Sequence, residues 1–463
     1  MQNFRIALRN IFRNKRRTFM AMASIIVGVV ALALISGFVA TIRYSLYTSI
    51  VRAEGHVQIM AEHYLDLGSS NPGKFYVEDW EGIARQLEAD PELGPQISVI
   101  APMLTVAGVA GNAETGASRS YMGAGYRADL FAAMQEWDNF NLRLDRATLP
   151  LDPEDPDVIL VGVGLAQQLQ ICSKLNVPGC VDYDVVDEPE GEADAEIADL
   201  GDLVSDELAV DNAGHEGMPV VDLMAAAASG APNARSVWVG GIAEQARRQA
   251  DNSYVAMDLR TAQNLIYEDQ NHVSHVMVQF RSNDFAARGL ERIREILADG
   301  PQRLDVLELE NFNETFTRVV GMFTVIQMFI GIVVGLIILF MIANTMAIVV
   351  MERVNEIGTI RALGQTRGGV LRLFLMEGVL LGALSATVGL AVSWVVILIV
   401  NNSGLSFVTP TSTSPIPVRI LFTEAPATVA GIWLMITAVA TLSSLLPARR
   451  AARFRIVDAL RFA

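Results

Sequence analysis

Histidine and cysteine are scarce in this chain of 463 residues, which holds 5 of the first and 2 of the second. Neither number supports a cysteine-rich zinc site, and Cys172 and Cys180 have no nearby histidine or third cysteine to complete a four-ligand set. Charge is missing in four long places. Phe19 to Ile42, Val319 to Met351, the run from Gly378 toward Arg419 (apolar to about Val400) and Ala425 to Ala448 contain no Asp, Glu, Lys or Arg. Positive charge is missing from Leu175 to Ala234, and the whole chain is formally −16, which excludes nucleic acid as a partner.

An apolar helix needs about 20 residues to cross a hydrocarbon core about 30 Å thick, so each uncharged run is long enough. Isolated runs with such unequal loops must close their own backbone hydrogen bonds, which makes them helices and not barrel strands. Buried helices of a soluble protein would show shorter apolar runs. The first run is also too long for a cleaved secretory signal and lacks the small-residue cleavage pattern.

Positive charge near the spans sets their direction. Arg5, Arg9, Arg13, Lys15, Arg16 and Arg17 precede the first run, and Arg449, Arg450, Arg453, Arg455 and Arg461 follow the last. Lys and Arg beside spans stay in the cytoplasm, so both termini are expected inside a bacterial inner membrane, with the large acidic segment outside. The fold class is therefore an α-helical membrane protein with four transmembrane helices and a large mixed α/β extracytoplasmic domain between helices 1 and 2. The expected division is 1–18 as an amphipathic cytoplasmic helix, 19–42 as the first span and 43–310 as the outer domain, with an acidic insertion near 172–234. Residues 311–351 form a stalk and second span, 352–377 a cytoplasmic loop, 378–400 the third span, 401–424 a short outer loop, 425–448 the fourth span and 449–463 a basic tail.

Within the outer segment, His56 to Met60, Leu104 to Ala110, Val158 to Val161, Val237 to Ile242 and Val273 to Phe280 have strand character. Asp79 to Glu88, Gly164 to Leu169, Leu259 to Tyr267 and Asp284 to Leu297 have helical periodicity. In an oxidising compartment Cys172 and Cys180 are expected to pair. The acids from Asp182 to Asp199 form a solvated insertion; Asp182-Tyr183-Asp184 lacks the ligand spacing and central glycine of a calcium loop. The second uncharged run exceeds the bilayer: 33 residues make roughly 50 Å of helix, so its outer turns project as a stalk that starts near Asn311. Gln327 and Asn344 are costly against lipid and are expected to face another helix or a cavity, while Gly331 and Gly335 have the GxxxG spacing of a dimer face. Phe4, Leu8, Ile11 and Phe12 form an apolar stripe suited to the membrane interface.

The stretch from Met351 to Glu377 carries both charge signs, two punctuating glycines and an apolar face of Val354, Ile357, Ile360 and Leu363 at helical spacing. Such a helix, with nothing of its own to pack on, is a docking element. Asn344-Thr345-Met346, Met351-Glu352-Arg353, Glu356-Ile357-Gly358 and Ala362-Leu363-Gly364 together resemble the permease motif of the MacB, LolC and FtsX family of ABC transporters. Ala7-Leu8-Arg9-Asn10-Ile11 with Arg16-Arg17-Thr18, and Pro447-Ala448-Arg449-Arg450-Ala451-Ala452 with Asp458-Ala459-Leu460, are similar to that family's ends.

The resemblance implies that Glu352, Arg353, Glu356, Ile357, Gly358, Arg361 and Gly364 couple the chain to a separate cytoplasmic ATPase. ATP and magnesium would sit on that partner, this chain would bind no cofactor, and it would not be catalytic by itself. A second permease, identical or homologous, would complete the membrane part among its lipids. The family's branches extract lipoproteins toward a periplasmic chaperone, drive efflux through an adaptor, or control cell-wall hydrolases. Gly55-His56-Val57-Gln58-Ile59 and the stretch from Gly230 to Ile242 resemble the lipoprotein-releasing branch most. An anchored sensor or scaffold remains the rival from another class. Gly68 to Phe75 is one residue from a P-loop, but Phe75 replaces the hydroxyl that would bind magnesium; His272 and His275 fall on opposite faces of a strand; and His215-Glu216 lacks the second histidine of a zinc protease.

Overall fold

The computed structural model describes residues 15–68, 74–142, 144–175, 177, 180–182, 215, 217–243, 248–268, 270–407, 416–417, 419–421 and 426–454. In chain order, α1 (Lys15–Glu54) precedes β1 (Val57–Ala61), α2 (Trp80–Ala89), β2 (Ile97–Asn112), β3 (Ala117–Tyr126), α3 (Ala128–Gln135), β4 (Val158–Val161), β5 (Val220–Ala226) and β6 (Pro232–Ile242). Then come β7 (Tyr254–Asp258), α4 (Leu259–Tyr267), β8 (His275–Phe280), α5 (Ala286–Leu297), β9 (Leu304–Glu308), α6 (Glu314–Glu352), α7 (Val354–Ala362), α8 (Arg367–Asn402) and α9 (Pro426–Arg453). The chain forms two compact units, one built on the apolar helices up to Tyr44 and from Thr317 onward, the other on Ser45 to Phe316.

Four helices, Thr18–Glu54, Glu314–Glu352, Arg367–Asn402 and Ala427–Arg453, are long and apolar enough to cross a membrane. All four extend past the uncharged runs, the first three for the local reasons that follow. α1 continues to Glu54 because nothing from Arg43 to Glu54 breaks a helix, and Gly55 ends it. Gly55 has φ +79°, and a Cβ there would stand 2.9 Å from the Val278 carbonyl oxygen, so only glycine fits the turn. α6 starts at Glu314, after a break at Asn313 that interrupts the stalk expected from Asn311. α8 starts at Arg367, inside the expected loop, because the Thr366 hydroxyl accepts the Gly369 N–H and caps it.

In the second unit, β2 is shared by two sheet regions. Its first half pairs with β8, from Ile97↔Phe280 to Met103↔His275, and β8, β1 and β9 continue an antiparallel sheet. Its second half pairs with β3 on one edge and β5 on the other, from Gly108↔Ala225 to Gly111↔Asp222. β3 then meets β7 in parallel, β7 meets β4, β4 meets β6 in parallel and β6 returns to β5. That ring of strands closes on itself and leaves no free edge there. A Cβ at Gly108 would lie 1.9 Å from the Met224 carbonyl oxygen, so glycine permits the strand change on β2.

One apolar core joins these strands to the helices. Leu104, Ile159, Val237, Val278 and Phe280 from the sheet meet Leu87 of α2, Leu265 of α4 and Ile293 of α5, all fully buried. Burying each such side chain contributes about 1.5–3 kcal/mol. Asp79 caps α2 by accepting the Gly82 N–H at 2.9 Å, and Asp258 caps α4 by accepting the Arg260 N–H at 2.9 Å. Cys172 and Cys180 are joined by a disulfide with Cα atoms 5.4 Å apart. The Asp182 carboxylate accepts the Cys172 N–H at 2.8 Å beside it. The acids from Asp184 to Asp199 and the apolar stripe of Phe4 to Phe12 lie outside the described residues, as do residues 69–73 of the P-loop-like stretch.

In the apolar unit the helices approach through small residues. A Cβ on Gly382 would stand 2.6 Å from the Ala440 Cβ, and one on Gly378 would stand 2.5 Å from the Ser444 hydroxyl, so α8 and α9 nearly touch backbones. Gly389 faces Val29 of α1, and Gly28 faces Ile338 of α6. Ile25, Val29, Ala33, Ile338, Ile342, Ile436 and Ala440 fill the space between the helices.

Candidate functional site

The stretch that links α6 to α8 is the candidate site, and its shape starts with Arg353. α6 stops at Glu352, Arg353 stands between the helices at φ −105°, ψ 12°, and α7 begins at Val354. The Arg353 guanidinium is buried and donates to the Glu377 carboxylate of α8, Nη1 to Oε1 at 3.1 Å, with Glu377 only 4% exposed. Glu356 lies 3.8 Å from the same guanidinium. Val350, Ile357, Val370, Phe374, Ala448, Ala451 and Ala452 pack around this joint. At the other end of α7, Arg361 donates to the Phe454 carbonyl oxygen, and Gly364 turns the chain with φ +97° toward the cap of α8.

These contacts divide α7 into two faces. Arg353, Val354, Ile357 and Gly358 are buried, whereas Glu352, Asn355, Glu356, Thr359, Ile360, Leu363 and Gly364 are exposed. The apolar face expected at Val354, Ile357, Ile360 and Leu363 is thus split: the first two pack inward, and Leu363 is 82% exposed. The outward face is a mixed acidic and apolar strip about two turns long, suited to a complementary groove. Arg353 and Arg361, both expected to couple to the ATPase, bond within the chain. Glu377 and Phe454 were missed. A lone acid opening an uncharged run, downstream of the Thr366 cap, was the signal available for Glu377.

Farther along α6, the Gln327 amide donates to the Ser36 hydroxyl of α1 at 2.9 Å, a helix-to-helix bond. Ser36, Arg43, Phe323, Thr324 and Gln327 line a small cavity between these helices. Asn344 is on the exposed side of α6, away from its neighbours in the chain. Gly331 and Gly335 also face open space, with nothing within 4 Å of a Cβ placed on either.

The histidines do not converge. His272 stacks on Tyr76 at 4.2 Å, and His215 stacks on Trp238 and approaches Asp155 at 2.5 Å. His275 is buried in β8 with neither ring nitrogen hydrogen-bonded, and burial pushes it down to about 4. His56 accepts the Phe280 N–H at Nδ1, and burial pushes it down to about 3. Both are neutral packing residues at neutral pH.

Four membrane-length helices with a large α/β domain between the first and second define a class of membrane protein with an extracytoplasmic domain. Comparison with known families is specific within it. A model described as the FtsX-like permease C-terminal matches residues 328–456, and one described as the MacB-like periplasmic core domain matches residues 18–187. The chain thus resembles permeases of the MacB/FtsX type at both its core domain and its C-terminal membrane part. An ABC transporter permease of Bacillus subtilis, YtrF, is 32% identical over 33% of this chain and 35% of its own length. The macrolide export ATP-binding/permease protein MacB of a Shewanella strain is 27% identical over 50% of this chain and 31% of its own length. The chain spans about a third of the length of the curated relatives it matches. The solved extracellular domain of the ABC-type transporter YknZ, from Gram-positive bacteria, aligns with 54% of this chain and 99% of its own at 12% identity, with a TM-score of 0.29.

Proposed function

We propose that this chain is the membrane subunit of an ATP-driven complex in the bacterial inner membrane, with both termini in the cytoplasm and the α/β domain in the periplasm. Its ATPase is a separate chain that carries ATP and magnesium and docks on the outward face of α7. The observation that carries this reading is the split of α7, which leaves Glu352, Glu356, Ile360 and Leu363 outward while the inward side is tied to α8. A short helix anchored on one face and open on the other passes a push from its partner to the helices behind it. A second permease supplies cover for the glycine face of α6; Asn344, on the opposite side of that helix, needs a separate polar partner, since an amide left against lipid is costly.

The cargo favoured is lipid-anchored or lipid-like, drawn from the outer leaflet toward a periplasmic chaperone. The cavity beside Ser36, Gln327 and Arg43 supports it, because polar and cationic groups among apolar walls suit an amphiphile. A second reading is export through a periplasmic adaptor and outer-membrane channel. It rests on the core-domain match and on relatives named as macrolide exporters.

Purification of the tagged chain in mild detergent, with mass spectrometry of what accompanies it, tests both. An ATPase with a lipoprotein or its chaperone supports extraction, and an ATPase with an adaptor moves the function to export. No ATPase after crosslinking overturns the transporter reading in favour of an anchored sensor. Within a complex, Glu352→Lys is expected to abolish ATPase stimulation while the periplasmic domain stays folded.

A further inference from the structure

We propose that the Arg353–Glu377 pair is the joint that fixes the angle of α7 against α8, so that Arg353 is a positioning residue and not a contact for the partner. Three observations converge. First, the break between α6 and α7 has neither proline nor glycine, the usual causes of a sharp helix break, within three residues of Arg353. The Arg353 backbone N–H still reaches the Val349 and Val350 carbonyls at 3.2 Å, and the Ile357 N–H bonds back to the Arg353 carbonyl at 2.9 Å. Between these two rungs no backbone bond runs from Val354, Asn355 or Glu356 back to α6, so the ladder skips most of a turn at a place the sequence does not mark, and the Arg353 side chain sits at that corner.

Second, the side chain is aimed inward. Arg353 is 9% and Glu377 4% exposed, with 3.1 Å between Nη1 and Oε1, so the pair is withdrawn from any docking partner. A buried ion pair is a weak source of stability, because desolvation offsets most of the attraction; its best-attested use is to select one arrangement over neighbouring ones. Third, the pair spans helices that the intervening turn alone would leave loosely related. Gly364, at φ +97°, has nothing within 4 Å of a Cβ position, and the cap at Thr366 binds only its own helix. With Arg361 fixed to the Phe454 carbonyl at the far end, α7 is held at two points, and one of them is ionic.

The guanidinium also lies between two carboxylates. Glu377 is buried, while Glu356 at 3.8 Å is on the outward face with a side chain 49% exposed. A cation brought to Glu356 by a partner would compete with Arg353 for that carboxylate and leave the bond to Glu377 in place. The joint therefore holds its angle while the outer face is engaged, which is what a rigid lever requires.

The test uses the full chain with spin labels at Asn355→Cys and Arg450→Cys, both exposed, and pulsed electron resonance to read their separation. The native cysteines are paired and do not label. One narrow distance is expected for the parent, a broad distribution for Arg353→Gln and for Glu377→Gln, and a narrow one again for Arg353→Glu combined with Glu377→Arg. Arg353→Lys keeps the charge and is expected to stay narrow, which separates loss of the joint from loss of fold. In the second measurement, which rests on the proposed function, the ATPase that co-purifies with the parent chain is assayed with each variant. Arg353→Gln is expected to retain it at parental yield and to lower stimulated hydrolysis by roughly tenfold or more, since a small misplacement of a positioned group costs up to about 100-fold. The charge swap is expected to restore stimulation. An unchanged distance in Arg353→Gln, or a swap that restores neither readout, overturns the proposal. Loss of the ATPase from Arg353→Gln with an unchanged distance overturns it as well, and makes Arg353 a direct contact. If no ATPase accompanies even the parent chain, the proposed function fails, while the distance measurement still decides the joint.

Discussion

In the α/β domain, helices meet the sheet through large side chains, Leu87, Leu265 and Ile293 against Leu104, Val278 and Phe280; in the membrane unit, α8 meets α9 through Gly378 and Gly382. The difference follows from the solvent. Water drives large apolar groups together, so size stabilises the domain. Lipid is as apolar as leucine, so membrane helices gain by letting backbones come close and by a few polar bonds, such as Gln327 to Ser36. The two units should accordingly fail under different insults.

Acid is the strongest test on the domain side. His56 and His275 are held neutral by burial, at about 3 and about 4, below their ordinary 6.5. Below pH 6.5 the unfolded chain takes up protons that the folded domain refuses, so stability is complete above 6.5 and falls as pH drops toward those folded values. At pH 5 the loss is about 2 kcal/mol for each histidine, or about 4 kcal/mol together. Hydrogen exchange of β1 and β8 across pH 5 to 7.5 checks this. His275→Met should remove about half of the slope, and exchange in α8 should not follow it. A slope unchanged by His275→Met would take that histidine out of the account.

Size is the strongest test on the membrane side. Gly382→Leu forces a side chain to within 2.6 Å of Ala440 and should cost about 3 kcal/mol, at the upper end of overpacking penalties. Thermal aggregation of the detergent-solubilised chain would show it, and an unchanged midpoint would mean that α8 and α9 part more easily than their packing indicates. The disulfide comes next. Opening the 8-residue separation between Cys172 and Cys180 by Cys180→Ser should cost about 2–3 kcal/mol, confined to exchange near strand β6, against which the Cys172–Leu175 turn lies, and absent from α6 to α9.

The same contrast explains what could be read in the sequence. Four spans were legible because an uncharged run of bilayer length has few alternative meanings, and β4 and α4 fell at their expected residues because strong apolar patterns are bounded by Pro156, Asp258 and Glu268. β3 was not legible: Ala117–Tyr126 is rich in glycine, alanine and serine, and it becomes a strand because β2 and β7 pair with both of its edges. β5 and β7 were hidden in the same way, since β2 for the first and β3 and β4 for the second, all distant in sequence, pair with them. At the coupling element, the helix and its glycines were visible, but which face points outward depends on Glu377 and Phe454, which a helical wheel of α7 does not contain.

Glycine spacing shows how far a motif reaches by itself. Gly331 and Gly335 on α6 and Gly378 and Gly382 on α8 share the GxxxG spacing, yet the first pair faces open space and the second faces Ser444 and Ala440. Spacing states that a helix offers a flat face; what meets that face is decided elsewhere in the chain or by another molecule. Gly335→Leu should therefore change the thermal midpoint of the single chain by less than about 0.5 kcal/mol equivalent, the smallest effect expected here, as for substitutions that touch nothing. If a second permease covers that face, the same substitution should still lower cysteine crosslinking between two copies labelled at Ile332→Cys. A large loss of single-chain stability would mean that α6 packs against its own chain there. Unchanged crosslinking would move the second copy to another helix.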